Sequence, residues 1–384
     1  MPSRVFIAIA VSLIGLLHLY IGGQLLPDLP GPYFLKILGG LWLAASFVLV
    51  PSGLLARAIR TQPLADRLAW SGMLAMGFFS SLLVLSFVRQ IVLLVVMLAD
   101  MVRPALVADS ALAVPFLALA VTVVGYFNAR RVAAVRKVEV PIAGLPFNLE
   151  GFTIAQISDI HVGPTIKRDY LDAIVDKVNA LGADMVAVTG DLVDGSVEQL
   201  REHTAPLSRL VARHGAFFVT GNHEYYSNAP DWVAEVRRLG LTVLMNQHVL
   251  LRHEGATLLV AGVTDYTAHQ FDEEQRSDPH GALKGAPNVP VKLLLAHQPR
   301  SAIAAADAGY DLQLSGHTHG GQFFPWNLFV PLQQPFTAGL NRLHQLWVYT
   351  SRGTGYWGPP MRLGAPAEIT EIRLTSGLSG AALG

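Results

Sequence analysis

No cysteine occurs anywhere in the 384 residues. Disulfide frameworks, thiolate metal sites and a cysteine nucleophile are therefore excluded. Charge is scarce too: Asp, Glu, Lys and Arg make up 15% of the chain against 52% hydrophobic residues, too apolar for an ordinary soluble protein. The formal net charge of zero hides a division. Residues 1–137 carry 11 Lys and Arg against 4 Asp and Glu, a net +7, which residues 138–384 balance at −7. The acidic second half lacks the clustered cations a nucleic-acid surface requires, so no nucleic-acid partner is expected.

What the first part has instead is long apolar runs: Val5–Gly22, Tyr33–Leu55, Leu68–Leu98 and Ala111–Phe127. Crossing the hydrocarbon core takes about 20 apolar residues, so residues 1–137 read as an all-α membrane domain of about four transmembrane helices. The first run follows Arg4 as a signal peptide would, but no convincing small-residue cleavage site follows it, and a retained helix is expected. The first connection carries no basic residue, only Asp28 among prolines. The second holds Arg57, Arg60 and Arg67, the third sets Arg103 against Asp100 and Asp109, and Arg130, Arg131, Arg136 and Lys137 follow the fourth helix. That alternation predicts both termini on the cytoplasmic side. Arg89 falls inside the third run; a segment longer than the bilayer is thick lets it snorkel at an interface, and that is the expectation. No paired acidic residues or matched broken helices point to a transporter.

From residue 138 the pattern alternates between strands and helices, as an α/β domain does. Strands are expected at Phe152–Ser158, Asp184–Thr189, Ala216–Thr220, Leu241–Leu251, Thr257–Val263, Val291–Ala296, Leu312–Ser315, Leu346–Thr350 and Ile369–Leu374. Helices are expected at Arg168–Leu181, Glu198–Arg213 and Asp231–Leu239. Residues 265–288 read as a mobile polar loop, and 376–384 as a disordered tail after a domain spanning 138–375.

The strand ends carry the chemistry. Asp159 and His161 follow the first strand, Asp191 and Asp194 the second, Asn222 and His223 the third. His297 follows a later strand, and His317 and His319 another. Carboxylate, imidazole and amide oxygen make the donor set suited to Mn, Fe, Zn or similar divalent ions. Twelve of the 13 histidines lie beyond residue 137. Seven donors with one shared carboxylate would give two cations four ligands each and leave positions open for water and substrate.

The ordered set Asp159-x-His161, Gly190-Asp191-x-x-Asp194, Gly221-Asn222-His223-Glu224, His297 and Gly316-His317-x-His319 resembles the calcineurin-like metallophosphoesterase family. The form Gly-His-Thr-His-Gly-Gly-Gln, with Ser351-Arg352-Gly353 and Pro366 downstream, resembles its membrane-associated bacterial branch. The resemblance covers about residues 150–375 and implies a two-sheet β-sandwich flanked by helices. It implies one metal held by Asp159, His161, Asp191 and His319, and a second held by Asp191, Asn222, His297 and His317. Two such cations about 3.5–4 Å apart polarise a phosphoryl oxygen and activate a bridging water for in-line attack. The family pattern makes His223 the general acid; Asp194 would accept from it, or be a simple turn carboxylate.

The expected activity is a metal-dependent phosphodiesterase or pyrophosphatase of a bacterial inner membrane, its catalytic domain cytoplasmic. The anchor points to a lipid-linked phosphate ester as substrate. The aromatic run Phe323–Val330 could meet acyl chains or the bilayer interface, or could simply pack over a sheet edge. A membrane sensor whose metal domain gives a regulatory output, or a metal-binding scaffold, is the competing reading.

Overall fold

The structure, a computed structural model, describes residues 4–56, 59 and 61–377. Arg57, Arg60 and the tail from residue 378 lie outside the described residues. The chain divides into two compact units: residues 1–130 with 358–361, and residues 131–357 with 362 onward.

Among its described residues the first unit contains four helices, each long and apolar enough to cross a membrane: α1 (Arg4–Leu25), α2 (Tyr33–Leu55), α3 (Leu64–Leu98) and α4 (Pro104–Arg130). The fourth begins seven residues before its expected start. Pro104 sits at the first helical position, where the missing N–H costs no hydrogen bond. Packing of α2 on α3 is close because glycine faces glycine: a Cβ built on Gly72 would lie 2.4 Å from Gly53 Cα. The Arg89 side chain is buried, and Nη2 meets Asp28 Oδ2 at 2.6 Å. It also donates to the Gln24 and Val107 carbonyls and to Ser110 Oγ. Asp28 in the connection after α1 supplies the counter-charge that a buried guanidinium requires.

The second unit opens with β1 (Ala134–Ile142), four residues earlier than the domain start expected at 138. Residues 134–137 join the strand by parallel pairing with β12, although their basic residues look like a helix flank. There follow β2 (Thr153–Ile157), α5 (Arg168–Asn179), β3 (Met185–Val188), α6 (Val197–Thr204), β4 (Ala216–Phe218), α7 (Asn222–Tyr226) and α8 (Ala229–Arg238). Next come β5 (Thr242–Val243), β6 (Gln247–His253), β7 (Ala256–Gly262), β8 (Val291–Leu295), α9 (Ala302–Asp307) and β9 (Leu312–Ser315). The unit ends with β10 (Gly339–Leu343), β11 (Leu346–Thr350) and β12 (Glu368–Ser376). One six-stranded sheet has the order β1-β12-β2-β3-β4-β5 and the other β10-β11-β9-β8-β7-β6. Ile154, Met185 and Phe217 of the first sheet pack between the layers with Leu258, Leu293, Leu312 and Tyr349 of the second. The α5 face expected to be apolar, Leu171, Ile174, Val175 and Val178, is buried. The outer face of the second sheet, with Leu259 and Leu294, packs on Ala302 and Ala305 of α9.

Within this frame β2, β3 and β4 run parallel, as do β7, β8 and β9. Their carboxyl ends therefore deliver loops to one edge of each sheet. Two local expectations are corrected. Leu241–Leu251 is two strands in different sheets, broken at Asn246 in the left-handed region (φ 54). The helix expected to Arg213 ends at Thr204 and tightens to a 3₁₀ turn, because Pro206 cannot donate within a continuing helix. Residues 265–288 carry three one-turn 3₁₀ helices, and Asp272 caps the second.

Candidate metal centre

Five of the expected donors sit on left-handed backbone: Asp159 (φ 53), His161 (56), Asp191 (51), His317 (70) and His319 (50). Non-glycine residues avoid that region, and Asp and His enter it more readily than most. A run of such strain at the ends of apolar strands marks a functional loop cluster. It turns the chain sharply as each strand ends, so that both Asp159 and His161, or both His317 and His319, reach inward. Two glycines make room. A Cβ on Gly316 would lie 2.1 Å from Asp159 Oδ2, and one on Gly221 would lie 2.2 Å from Asp191 Oδ1.

The structure brings eight of the nine expected site residues into three groups, each with donor atoms mutually within 4.8 Å: Asp159, His161 and His319; Asp191, His297 and His317; His161, Asp194 and His223. In the first, His161 Nε2 is 3.1 Å from His319 Nε2, which is 3.5 Å from Asp159 Oδ1. In the second, His297 Nε2 is 3.1 Å from Asp191 Oδ2 and 3.2 Å from His317 Nδ1. Asp191 joins the two, its Oδ2 also lying 4.0 Å from His161 Nε2. Asn222, the ninth, has a buried Oδ1 without a hydrogen-bond partner.

This arrangement fits divalent cations and is costly without them. Asp159 and Asp191 are 0% and 2% exposed, and among the described residues neither pairs with a lysine or arginine. Burial and the neighbouring Asp191 raise the affinity of Asp159 for a proton despite the histidines around it. Asp191 is also desolvated, but His297 and His223 hold its carboxyl well below the usual range. His317 is pushed down to about 3 by burial and by His297, so its ring is a neutral donor. Carboxylates, imidazoles and an unpartnered buried amide oxygen are donors that a hard or borderline cation binds.

The far side of several rings is fixed by a partner, as metal-binding histidines require. His297 Nδ1 donates to the Thr189 carbonyl at 2.7 Å. His161 Nδ1 lies 3.3 Å from Asp194 Oδ2, and the other oxygen of Asp194 accepts from His223 Nδ1. Asp194 is thus more than a turn carboxylate: it accepts from His223 and lies against His161. Although burial alone would lower it, the His223 pKa is raised to about 9 by Asp191 and Asp194.

Two residues escaped the sequence reading. Glu224, fully buried, accepts from the backbone N–H groups of Asp191 (3.0 Å), Leu192 (2.8 Å) and Gly221 (2.6 Å). It locks the loop after β3 to the loop after β4, and burial together with Asp191 pushes it up to about 8. Its place in the run Gly-Asn-His-Glu was the available signal. Arg362 is buried behind His319, with Nη2 3.1 Å from Nδ1 and Nη1 donating to the His319 and Arg352 carbonyls. Nothing in its surroundings, Gly-Pro-Pro-Met-Arg-Leu, marked it in advance.

Residues 152–321 match the model of the calcineurin-like phosphoesterase family. A bovine protein named transmembrane protein with metallophosphoesterase domain is 43% identical over 282 residues, 68% of this chain and 62% of its own length. The chain thus spans less than two thirds of that relative. An uncharacterized metallophosphoesterase of Helicobacter pylori is 41% identical over 223 residues, 58% of this chain and 59% of its own. One from Aquifex aeolicus is 31% identical over 242 residues, covering 62% of this chain and 91% of that protein. Relatives from cattle and bacteria alike share the similarity, so it does not single out a bacterial branch. With the strand-end donors, the two sheets and these relatives together, the chain belongs to the calcineurin-like metallophosphoesterase family, whose members use divalent metal ions to hydrolyse phosphate esters.

Proposed function

We propose that this protein is a membrane-anchored phosphoesterase that hydrolyses a lipid-linked phosphodiester or pyrophosphate at a two-cation site, with residues 1–137 as anchor and 138–375 as catalytic domain. The observation that carries it is the position of Asp191, whose one carboxylate lies against both donor groups. Asp159, His161, Asp191 and His319 would hold one cation, and Asp191, Asn222, His297 and His317 the other. When bound, such a pair polarises a phosphoryl oxygen and lowers the pKa of water at the site. The chain's own residues do the rest.

His223 lies beside the site with Nδ1 on Asp194 and Nε2 turned inward, 4.0 Å from Asp191 Oδ2. Asp194 fixes the tautomer and favours the protonated ring, so Nε2–H is the proton delivered to the leaving oxygen. The basic residues after α4 favour a cytoplasmic catalytic domain, on the inner membrane if the host is bacterial. The apolar helices favour a substrate that is itself held in the bilayer.

The test uses metal-reconstituted full-length protein in detergent. His223→Ala is expected to keep its metal but lose about a hundredfold or more in kcat on alkyl leaving groups, with a small loss on nitrophenyl esters. An equal loss on both would remove the acid role. Turnover of water-soluble esters without any lipid phosphoester, in a screen across mono- and diesters, would remove the lipid assignment.

A further inference from the structure

The surroundings of His223 contain more aromatic surface than proton transfer needs. Its ring is met edge-on by Tyr226 at 5.2 Å and by Trp357 at 5.7 Å between centroids, and Phe271 lies 5.7 Å from Tyr226. These three rings are about half exposed: Tyr226 57%, Phe271 51% and Trp357 47%. Large apolar side chains left open beside a catalytic group, when the core is within reach, are a binding surface rather than packing.

The position of Trp357 is built. Gln322, last residue of the Gly-His-Thr-His-Gly-Gly-Gln motif, has no role in metal binding. Its Nε2 donates to the Trp357 carbonyl and its Oε1 accepts the Trp357 N–H, each at 2.9 Å. One buried amide thus grips both polar groups of a residue in an irregular Gly- and Pro-rich segment. The motif that delivers His317 and His319 therefore also holds Trp357 against the ring of His223.

The geometry points to a leaving-group subsite in which Trp357, Tyr226 and Phe271 receive a planar ring attached to the departing oxygen. This rests on His223 as general acid. A group protonated by its Nε2 must carry its substituent past the same imidazole, and the rings flank that exit. Aromatic faces gain stacking energy from a flat ring beyond the area they cover, whereas a saturated chain gains the area alone. The substrate class narrows to phosphoesters or pyrophosphates whose leaving side bears a nucleobase or another aryl ring. Trp357 and Tyr226 set specificity, and Gln322 is a positioning residue.

The experiment compares two diesters of matched leaving-group acidity, one releasing a phenol and one a ring-free alcohol, on metal-reconstituted full-length protein. In parallel, calorimetry compares binding of uridine 5′-monophosphate with that of hexyl phosphate. Stacking of one base on one aromatic side chain is worth about tenfold in affinity. Trp357→Leu and Gln322→Glu are each expected to reduce the aryl-to-alkyl ratio of kcat/KM about tenfold, and Trp357→Phe to restore most of it. Trp357→Leu should erase the binding preference for the nucleotide to a similar degree. An unmoved ratio in both variants, or equal losses on both diesters, overturns the subsite, and a wild-type preference for hexyl phosphate would favour an acyl chain instead. A wild type that hydrolyses neither diester yet loses its nucleotide preference on Trp357→Leu keeps the subsite and sinks the proposed hydrolysis.

Discussion

At the scale of single residues, two buried carboxylates near each other do different work, and substitution separates them. Asp191 faces inward between the donor groups, while Glu224 faces away and accepts three backbone N–H groups. Asp191→Asn removes one charged oxygen from the place where both cations would share it. Metal content by elemental analysis is expected to fall well below two equivalents per chain, with little change in the fold. Glu224→Gln leaves every metal donor in place but turns an NH₂ group toward N–H donors that need an acceptor. Leaving such a donor unsatisfied costs about 1–3 kcal/mol, so the apparent Tm should drop together with metal affinity. Two full equivalents retained by Asp191→Asn would end its role as bridge. The seven expected donors and His223 could be singled out in the sequence because they cluster just after short apolar strands, with Gly190, Gly221 and Gly316 directly before Asp191, Asn222 and His317. Arg362 was not, since its contact with His319 is made across 43 positions and by a side chain in a loop without periodicity.

Among elements, legibility followed the strength of the local pattern. The helix Tyr33–Leu55 and the strands Leu312–Ser315 and Leu346–Thr350 stand where the sequence put them, because uninterrupted apolar runs have few alternative readings. The run Leu241–Leu251 misled because Asn246 breaks it by a backbone conformation rather than by a change of polarity. β10 went unread: Gly339–Leu343 has a polar Asn-Arg pair at its centre, and its strand character comes from pairing with β11. In the helical unit the contact of α2 with α3 depends on glycine opposite glycine, which no hydropathy profile displays. Gly72→Leu would force the two backbones apart, since a mere Cβ there already meets Leu49 O at 2.5 Å. Large substitutions at such a seam are destabilising by about 1–3 kcal/mol. Full-length Gly72→Leu in detergent should therefore unfold at lower temperature, with Gly72→Ala intermediate; an unchanged transition in both would show that this seam contributes no stability.

For the whole molecule, the donors come from five strand ends spread between residues 159 and 319 and from both sheets. A cation bound there adds a tie between loops that Glu224 and the His317 N–H to Asp159 hydrogen bond already join. It also stabilises the ionised form of Asp159, which burial and the neighbouring Asp191 oppose in its absence. Binding to the native state alone stabilises it by about 2.7 kcal/mol for one site at a hundred times Kd. For a unit of this size each kcal/mol moves Tm by about 2–4 °C. Chelation of the metal-loaded protein should therefore lower the transition of the phosphoesterase unit by about 5–10 °C, and readdition of Mn²⁺ or Zn²⁺ should restore it. The transition of the helical unit, followed by far-ultraviolet dichroism of the same sample, is expected to stay where it was, because none of its described residues supplies a donor to the three groups. A shift of both transitions together would mean that the two units unfold as one. No shift in either would mean that the strand ends do not hold a metal in the native state.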